Sequence, residues 1–170
     1  MNRTVIEGET SPMKKRIIPN AEQQTPHVPG EGWLDLEQLA DLEVTSEDAA
    51  NPIESALVPG RGSGWRAAES GEQTIRLVFN SPQQIQRIAL DFIESQTECT
   101  QQFVLRWSSD GGHSYREIVR QQWNFSPRGA TRESEDYRVD LPHVTTLELK
   151  ITPDISGRES QATLARLRLA

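Results

Sequence analysis

Three observations predict an all-β chain, an antiparallel sandwich or barrel. Apolar and polar residues alternate with a period of two through several separate segments. Segments rich in Gly, Pro, Ser and Asn divide them. No stretch between them carries apolar residues at helical spacing for more than about two turns. The 170 residues are enough for one domain with one sizeable core, preceded by a tail.

The tail covers residues 1–32. Pro12, Pro19, Pro26 and Pro29 interrupt a run of Glu, Gln, Thr and Asn with few large apolar side chains. Such a segment buries too little surface to offset the entropy of ordering it, so it is expected to be disordered. Its KKRII patch reads as a solvated charge cluster rather than a docking motif.

The domain is expected over residues 33–170. WLDLEQLADLEV opens with a short helical turn and enters a strand near 40–46. QTIRLVFN puts Ile75, Leu77 and Phe79 on one face, and QIQRIALDFI does the same with Ile88, Leu90 and Phe92. QQFVLRWS points Phe103, Leu105 and Trp107 inward. DYRVDL separates Tyr137, Val139 and Leu141 from Arg138 and Asp140. TLELKIT and ATLARLRLA repeat the pattern at the end of the chain. These runs give strands near 40–46, 73–80, 84–93, 102–108, 115–122, 136–141, 145–152 and 162–169. Arg faces Asp and Glu at many outward positions, as expected for cross-strand charge pairs on a wet face.

SSDGGHSY, Ser108 to Tyr115, resembles the Asp-box, a hairpin turn best known from β-propellers. Asp110 can accept from backbone N–H groups, Gly111 and Gly112 can take positive φ, and Tyr115 can pack back on the hairpin. The motif occurs once, and a propeller would repeat it. It is read as architecture.

If successive strands reverse direction, their connections alternate between two poles. Three are short: SPQ, the Asp-box turn, and the residues around Pro142 and His143. Four are longer: residues 47–72, 94–101, 123–135 and 153–161. The longer ones share a pole, and binding residues usually concentrate on such loops.

The order of these motifs resembles the discoidin, or coagulation-factor C-type, domain family, a galactose-binding-like jelly roll. The matching stretches are EVTSEDAANPIESAL, GWRAAESGEQTIRLVF, IQRIALDF, FVLRWSSDGGHSYREI, YRVDL, TLELKI and ATLARLRL, within residues 39–169. The resemblance implies a non-catalytic module that binds glycans, lipids or proteins through loops at one end. Many glycan-binding relatives also hold a structural calcium, with an Asp-Gly loop after the first strand and a Glu in the last. Here the loop reads VPGRGSG and the last-strand position is Arg166, so this calcium is expected to be absent, with no other cofactor implied.

Binding candidates come from the long connections. The segment from Arg120 to Tyr137 offers Trp123 as an aromatic platform, with Gln122, Asn124 and Arg128 as hydrogen-bonding groups, the combination that a sugar ring requires. A second reading of Trp123 stays open, that it continues the inward face of its strand. Arg66 and Glu94 belong to the same pole. Trp65 is expected to pack its own loop, and Glu94's neighbours Gln96 and Glu98, with Asp154 and Arg158, are placed near it without a distinct role.

Catalysis has little support. His27, His113 and His143 lie in the tail or at the short-connection pole, and no zinc spacing, phosphate loop or nucleophile–base pattern occurs. A carboxylate pair such as Glu133 and Glu135 could serve glycoside hydrolysis, but on a loop so rich in charges it is expected to be solvated. The expected function is carbohydrate binding, with an intracellular protein–protein interaction module as the alternative. The net charge of −7 argues against nucleic acid, since the tail is neutral by count and the deficit sits on the domain. Without an apolar run for a signal peptide or a membrane span, a cytoplasmic protein is expected. Cys99 is alone, so no internal disulfide forms.

Overall fold

The computed structural model describes residues 32–170. The expected disordered tail, residues 1–32, lies outside the described residues except for Gly32. Contacts divide the chain at Gly32 and Trp33.

Among the described residues two helical turns, α1 (Leu36–Leu39) and α2 (Glu54–Leu57), accompany eight strands: β1 (Ala40–Val44), β2 (Trp65–Ser70), β3 (Gln73–Ile93), β4 (Cys99–Ser108), β5 (Arg116–Phe125), β6 (Arg132–Thr152), β7 (Gln161–Leu164) and β8 (Arg166–Leu169). The main sheet runs β1-β3-β6-β4-β5, with β8 also on β3, and β2 pairs with β7 in a small second sheet. All pairings are antiparallel.

β3 and β6 give the sandwich its two layers. Each spans 21 residues, and they pair along their length as one ribbon. The register breaks between Val78 and Arg87, where the ribbon folds over. The first half of β3 carries β1, and the second half carries β8. The Phe92 and Phe103 rings stack at 5.0 Å. Phe103 lies opposite Ile151, itself opposite Gln73 at the start of β3. Phe92 sits near the end of β3, so the two ends of one strand face each other across the core. Ile75, Leu77 and Phe79 from one half and Ile85, Leu90 and Phe92 from the other fill the space between.

This corrects the strand boundaries. SPQ and Pro142–His143 are corners of two continuous strands rather than loops between separate ones. His143 takes φ 53° at its corner, the only non-glycine residue in the left-handed region among those described. The long first connection also contains α2 and β2, which alternation missed because WRAAES buries Trp65 and Ala67 but leaves its last three residues exposed. The last predicted strand is split: β7 stays with β2, and after Ala165, whose N–H donates to Asp91 O at 2.8 Å, β8 joins the main sheet.

The corners still return the chain to the expected pole. Glu94 N–H donates to Thr131 O (3.0 Å), Ile155 N–H to Thr100 O (2.9 Å) and Gly71 N–H to Ser160 O (3.1 Å), tying the four longer connections together. At the other pole the Asp-box turn is built as expected. Asp110 Oδ1 accepts from Ser108 Oγ (2.6 Å) and Ser114 N–H (2.9 Å), Gly112 N–H donates to Ser108 Oγ (2.9 Å), and Gly111 and Gly112 have φ of 73° and 86°. The Ser108 and Ser114 bonds hold the Asp110 carboxyl well below the usual range. The Tyr115 ring packs on the Arg106 guanidinium at 4.7 Å.

Candidate functional site

Two clefts meet at the long-connection pole. One, of about 260 Å³, is lined by Asn51, Gly64, Arg66, Ile93, Glu94, Gln96 and Thr163 among others. The other, of about 280 Å³, is lined by Arg66, Ser70, Glu94, Gln96, Thr97, Glu159, Ser160 and Gln161. Arg66, Glu94 and Gln96 belong to both, so these residues stand at the centre of one polar depression.

Each wall has a local reason. β2 is held by β7 through Arg66 opposite Thr163, and Arg66 Nη1 donates to Gln161 Oε1 at 3.3 Å. Glu94 closes its own turn: Oε1 accepts from the N–H groups of Gln96 (2.7 Å) and Thr97 (2.9 Å). Asp154 orders the seventh connection the same way, with Oδ1 accepting from Ser156 N–H at 3.0 Å and Ser156 Oγ at 2.8 Å. The Ser156 N–H bond is the main cause of the lowered Asp154 carboxyl. Ile93, 42% exposed, supplies an apolar wall. A guanidinium, carboxylates, amides and hydroxyls around one apolar side chain can hydrogen-bond a polyhydroxylated ligand and cover one of its faces.

The structure therefore brings Arg66 and Glu94 together and places the other four candidates elsewhere. β5 continues through Phe125 and β6 begins at Arg132, so Gln122, Trp123 and Asn124 lie on an edge strand and not in a loop. Asn124 Oδ1 accepts from Thr100 Oγ1 (2.7 Å) and Gln122 Nε2 donates to Gln102 Oε1 (3.1 Å), both as cross-strand partners on the outer face. Trp123, opposite Gln101, points to the other face, where it is half-buried against the core. Arg128 is exposed in the remaining 126–131 turn, which Ser126 N–H closes on Ala130 O. Trp65 is buried in the core, its indole N–H donating to Ser46 O at 3.3 Å. Thr97, Glu159, Ser160 and Gln161 were not singled out from the sequence, because nothing in their residue types marks them until β2 and β7 pair.

The solvated reading of Glu133 is overturned. Glu133 lies opposite Phe92 and is 2% exposed, with neither carboxylate oxygen hydrogen-bonded. Burial, and then Glu135 beside it, push its carboxyl up to about 7. The same face of β6 carries the Tyr137 hydroxyl, and this, Gln101 Nε2 and the Trp123 indole N–H are also buried without partners. The sequence did carry a signal: the period of Tyr137, Val139 and Leu141 extends backwards to Glu135 and Glu133.

Among the described residues no group of three or more His, Cys, Asp or Glu is placed to hold a metal, and no helix is long and apolar enough to cross a membrane. Arg166, at the position read as lost to calcium, bonds Asp91 Oδ2 at 2.8 Å, and Arg132 reaches the same oxygen at 3.3 Å. Cys99 is buried, and burial raises its thiol.

No family model and no curated protein matches this chain. Solved structures do. A carbohydrate-binding module of family 32 from Clostridium perfringens, in complex with GalNAc-β-1,3-galactose, superposes with a TM-score of 0.58 at 19% identity over 81% of this chain and 98% of that one. A pectin-binding carbohydrate-binding module gives 0.57 at 14% identity over 78% and 90%. Chitosan-binding module 1 from a Paenibacillus chitosanase/glucanase gives 0.55 at 15% identity over 77% and 94%. The chain shares its antiparallel β-sandwich fold with these modules. At such identities the likeness establishes the fold alone.

Proposed function

We propose that this chain is a non-catalytic carbohydrate-binding module and that the Arg66–Glu94 cleft is its binding site. The observation that carries the reading is the convergence of Arg66, Glu94, Gln96, Glu159 and Gln161, from β2, two connections and the start of β7, on one polar depression beside exposed Ile93. The similar modules support it. One is in complex with GalNAc-β-1,3-galactose, one binds pectin and one binds chitosan, so the fold leaves the choice of sugar to the residues of the cleft. The discoidin reading belongs to the same proposal and is supported by the order of motifs from residue 39 to 169.

Arg66 is the residue to remove. Its guanidinium can donate two parallel bonds to vicinal hydroxyls, and alanine leaves the cleft without that fork. By calorimetric titration against a panel of neutral and acidic oligosaccharides, the full chain is expected to bind at least one. Arg66→Ala is expected to weaken that binding about tenfold or more. Undiminished binding by Arg66→Ala, with the same melting temperature as the wild type, would move the site elsewhere. A panel without any binder, beside stoichiometric capture of one protein from the native cell, would favour the protein-interaction alternative.

A further inference from the structure

The outer face of β4, β5 and β6 carries a second polar surface that the loop-end cleft does not use. Val104 is the hub. It is buried although it points outward, because Arg120 on β5 and Lys150 on β6 are its direct cross-strand partners, one on each side. Arg106 follows two residues along β4. These three cations, with Gln102, Thr152 and Glu72, line a cleft of about 180 Å³ over the valine. In a chain of net charge −7, this patch has three cations to one carboxylate on its walls.

The cations are differently held. Arg106 is fixed: it bonds Glu148, whose fully buried side chain also accepts from Arg76 Nε at 2.8 Å, and the Tyr115 ring packs on its guanidinium. Burial alone would raise the Glu148 carboxyl, but the bonds from Arg76 and Arg106 outweigh it and keep it low. Arg120 and Lys150 are looser. Arg120 pairs with Glu117 at 2.9 Å between half-exposed side chains, and Lys150 Nζ stands 3.7 Å from Glu72 Oε1. Exposed pairs of this kind hold their partners weakly and exchange them for a better anion.

Towards the long-connection pole the same face continues as the cross-strand pairs Gln102–Gln122 and Thr100–Asn124. From Thr100 to Arg106 the stripe runs about 20 Å along the strand. Cations stand at one end over an apolar floor, and planar amides and hydroxyls at the other. Carboxylates match the first, and rows of hydroxyls match the second.

We propose that this face binds an acidic saccharide, a chain of uronate units, with Arg106, Arg120 and Lys150 taking carboxylates and Gln102, Gln122 and Asn124 taking hydroxyls. The proposal rests on the saccharide-binding reading above but uses none of the residues of the loop-end cleft. It gives Gln122 and Asn124, expected from the sequence as ligand-binding, a surface of their own.

The test uses the full chain, an oligogalacturonate as probe, and the variants Arg120→Glu, Lys150→Glu and Arg138→Glu. Arg138 is exposed on the other layer of β6 and controls for total charge. Oligogalacturonate is expected to bind, more weakly as salt rises. Arg120→Glu and Lys150→Glu are each expected to lower its affinity about tenfold or more, and Arg138→Glu to leave it unchanged. If uronate binding survives Arg120→Glu and Lys150→Glu but is lost on Arg66→Ala, the sheet face is refuted and the loop-end cleft upheld. Binding of a neutral oligosaccharide without any of oligogalacturonate refutes the sheet face alone. Equal affinity for dextran sulfate or single-stranded DNA would show a general response to polyanions and overturn saccharide recognition there.

Discussion

Replacing Glu133 with glutamine is expected to raise the melting temperature at about pH 8 and to leave it nearly unchanged at about pH 5. The carboxyl is 2% exposed, and its two oxygens have no hydrogen-bond partner. Phe92 lies opposite it on β3, while Glu135 and Tyr137 share its face of β6. An ionised carboxylate there has no nearby cation and a second carboxylate beside it, so the protonated form is the one the fold accepts. The folded value of about 7 lies above the ordinary 4.5. Folded protein therefore holds the proton more tightly than unfolded protein. The stability that this supplies is complete below the unfolded value and is lost as pH rises through about 7. The full span is worth about 3 kcal/mol, of which glutamine should recover about 2 kcal/mol at about pH 8, or roughly 5–10 °C. Thermal unfolding of wild type and Glu133→Gln across this range checks it. A glutamine variant destabilised equally at both ends would show that the carboxylate is satisfied in some other way.

The second large effect is expected at Gly64. Its φ is 119°, and a Cβ there would stand 2.6 Å from Leu164 O and 2.8 Å from Ala165 Cα. These are backbone atoms where β7 gives way to β8, held by the Ala165–Asp91 bond, and cannot swing aside. Gly64→Ala should cost roughly 3 kcal/mol or more, through strain and clash together. Gly60 is the matched control: φ is 79° with nothing within 4 Å of a Cβ, so Gly60→Ala should cost only the left-handed penalty of about 1 kcal/mol. Denaturant unfolding of both variants measures the difference. Equal losses would mean that the loop before β2 does not approach the β7–β8 junction so closely.

The legible part of this fold was the part governed by alternation. Ile75 to Phe79, Ile88 to Phe92 and Leu147 to Ile151 each show their buried face in the sequence, and the Asp-box turn shows its geometry in residue types. Alternation is local, so it could not tell a corner from a loop. Asn80 to Gln83 and Pro142–His143 look like turns because they carry turn residues, yet the ribbon pairing of β3 with β6 carries both strands through. β2 was hidden for the same reason: its pairing with β7 spans almost the whole domain and leaves little mark on WRAAES itself. The site suffered from that gap. Arg66 and Glu94 were placed by pole alone, whereas Glu159 and Gln161 join them only through the β2–β7 pairing. A loop reading of residues 123–135 exposed Glu133, which β6 turns inward, whereas the inward reading of Trp123, continuing the face of its strand, agrees with its half-buried place against the core.

Amide resonances of the full chain, followed while GalNAc-β-1,3-galactose and oligogalacturonate are titrated in, test the central claim most directly. If the loop-end cleft recognises sugar, one of these ligands shifts the resonances of Arg66, Ser70, Gln96, Thr97, Ser160 and Gln161 as a group, with saturation. Saturable shifts confined to the Asp-box pole, or none at that group with either sugar, would contradict it.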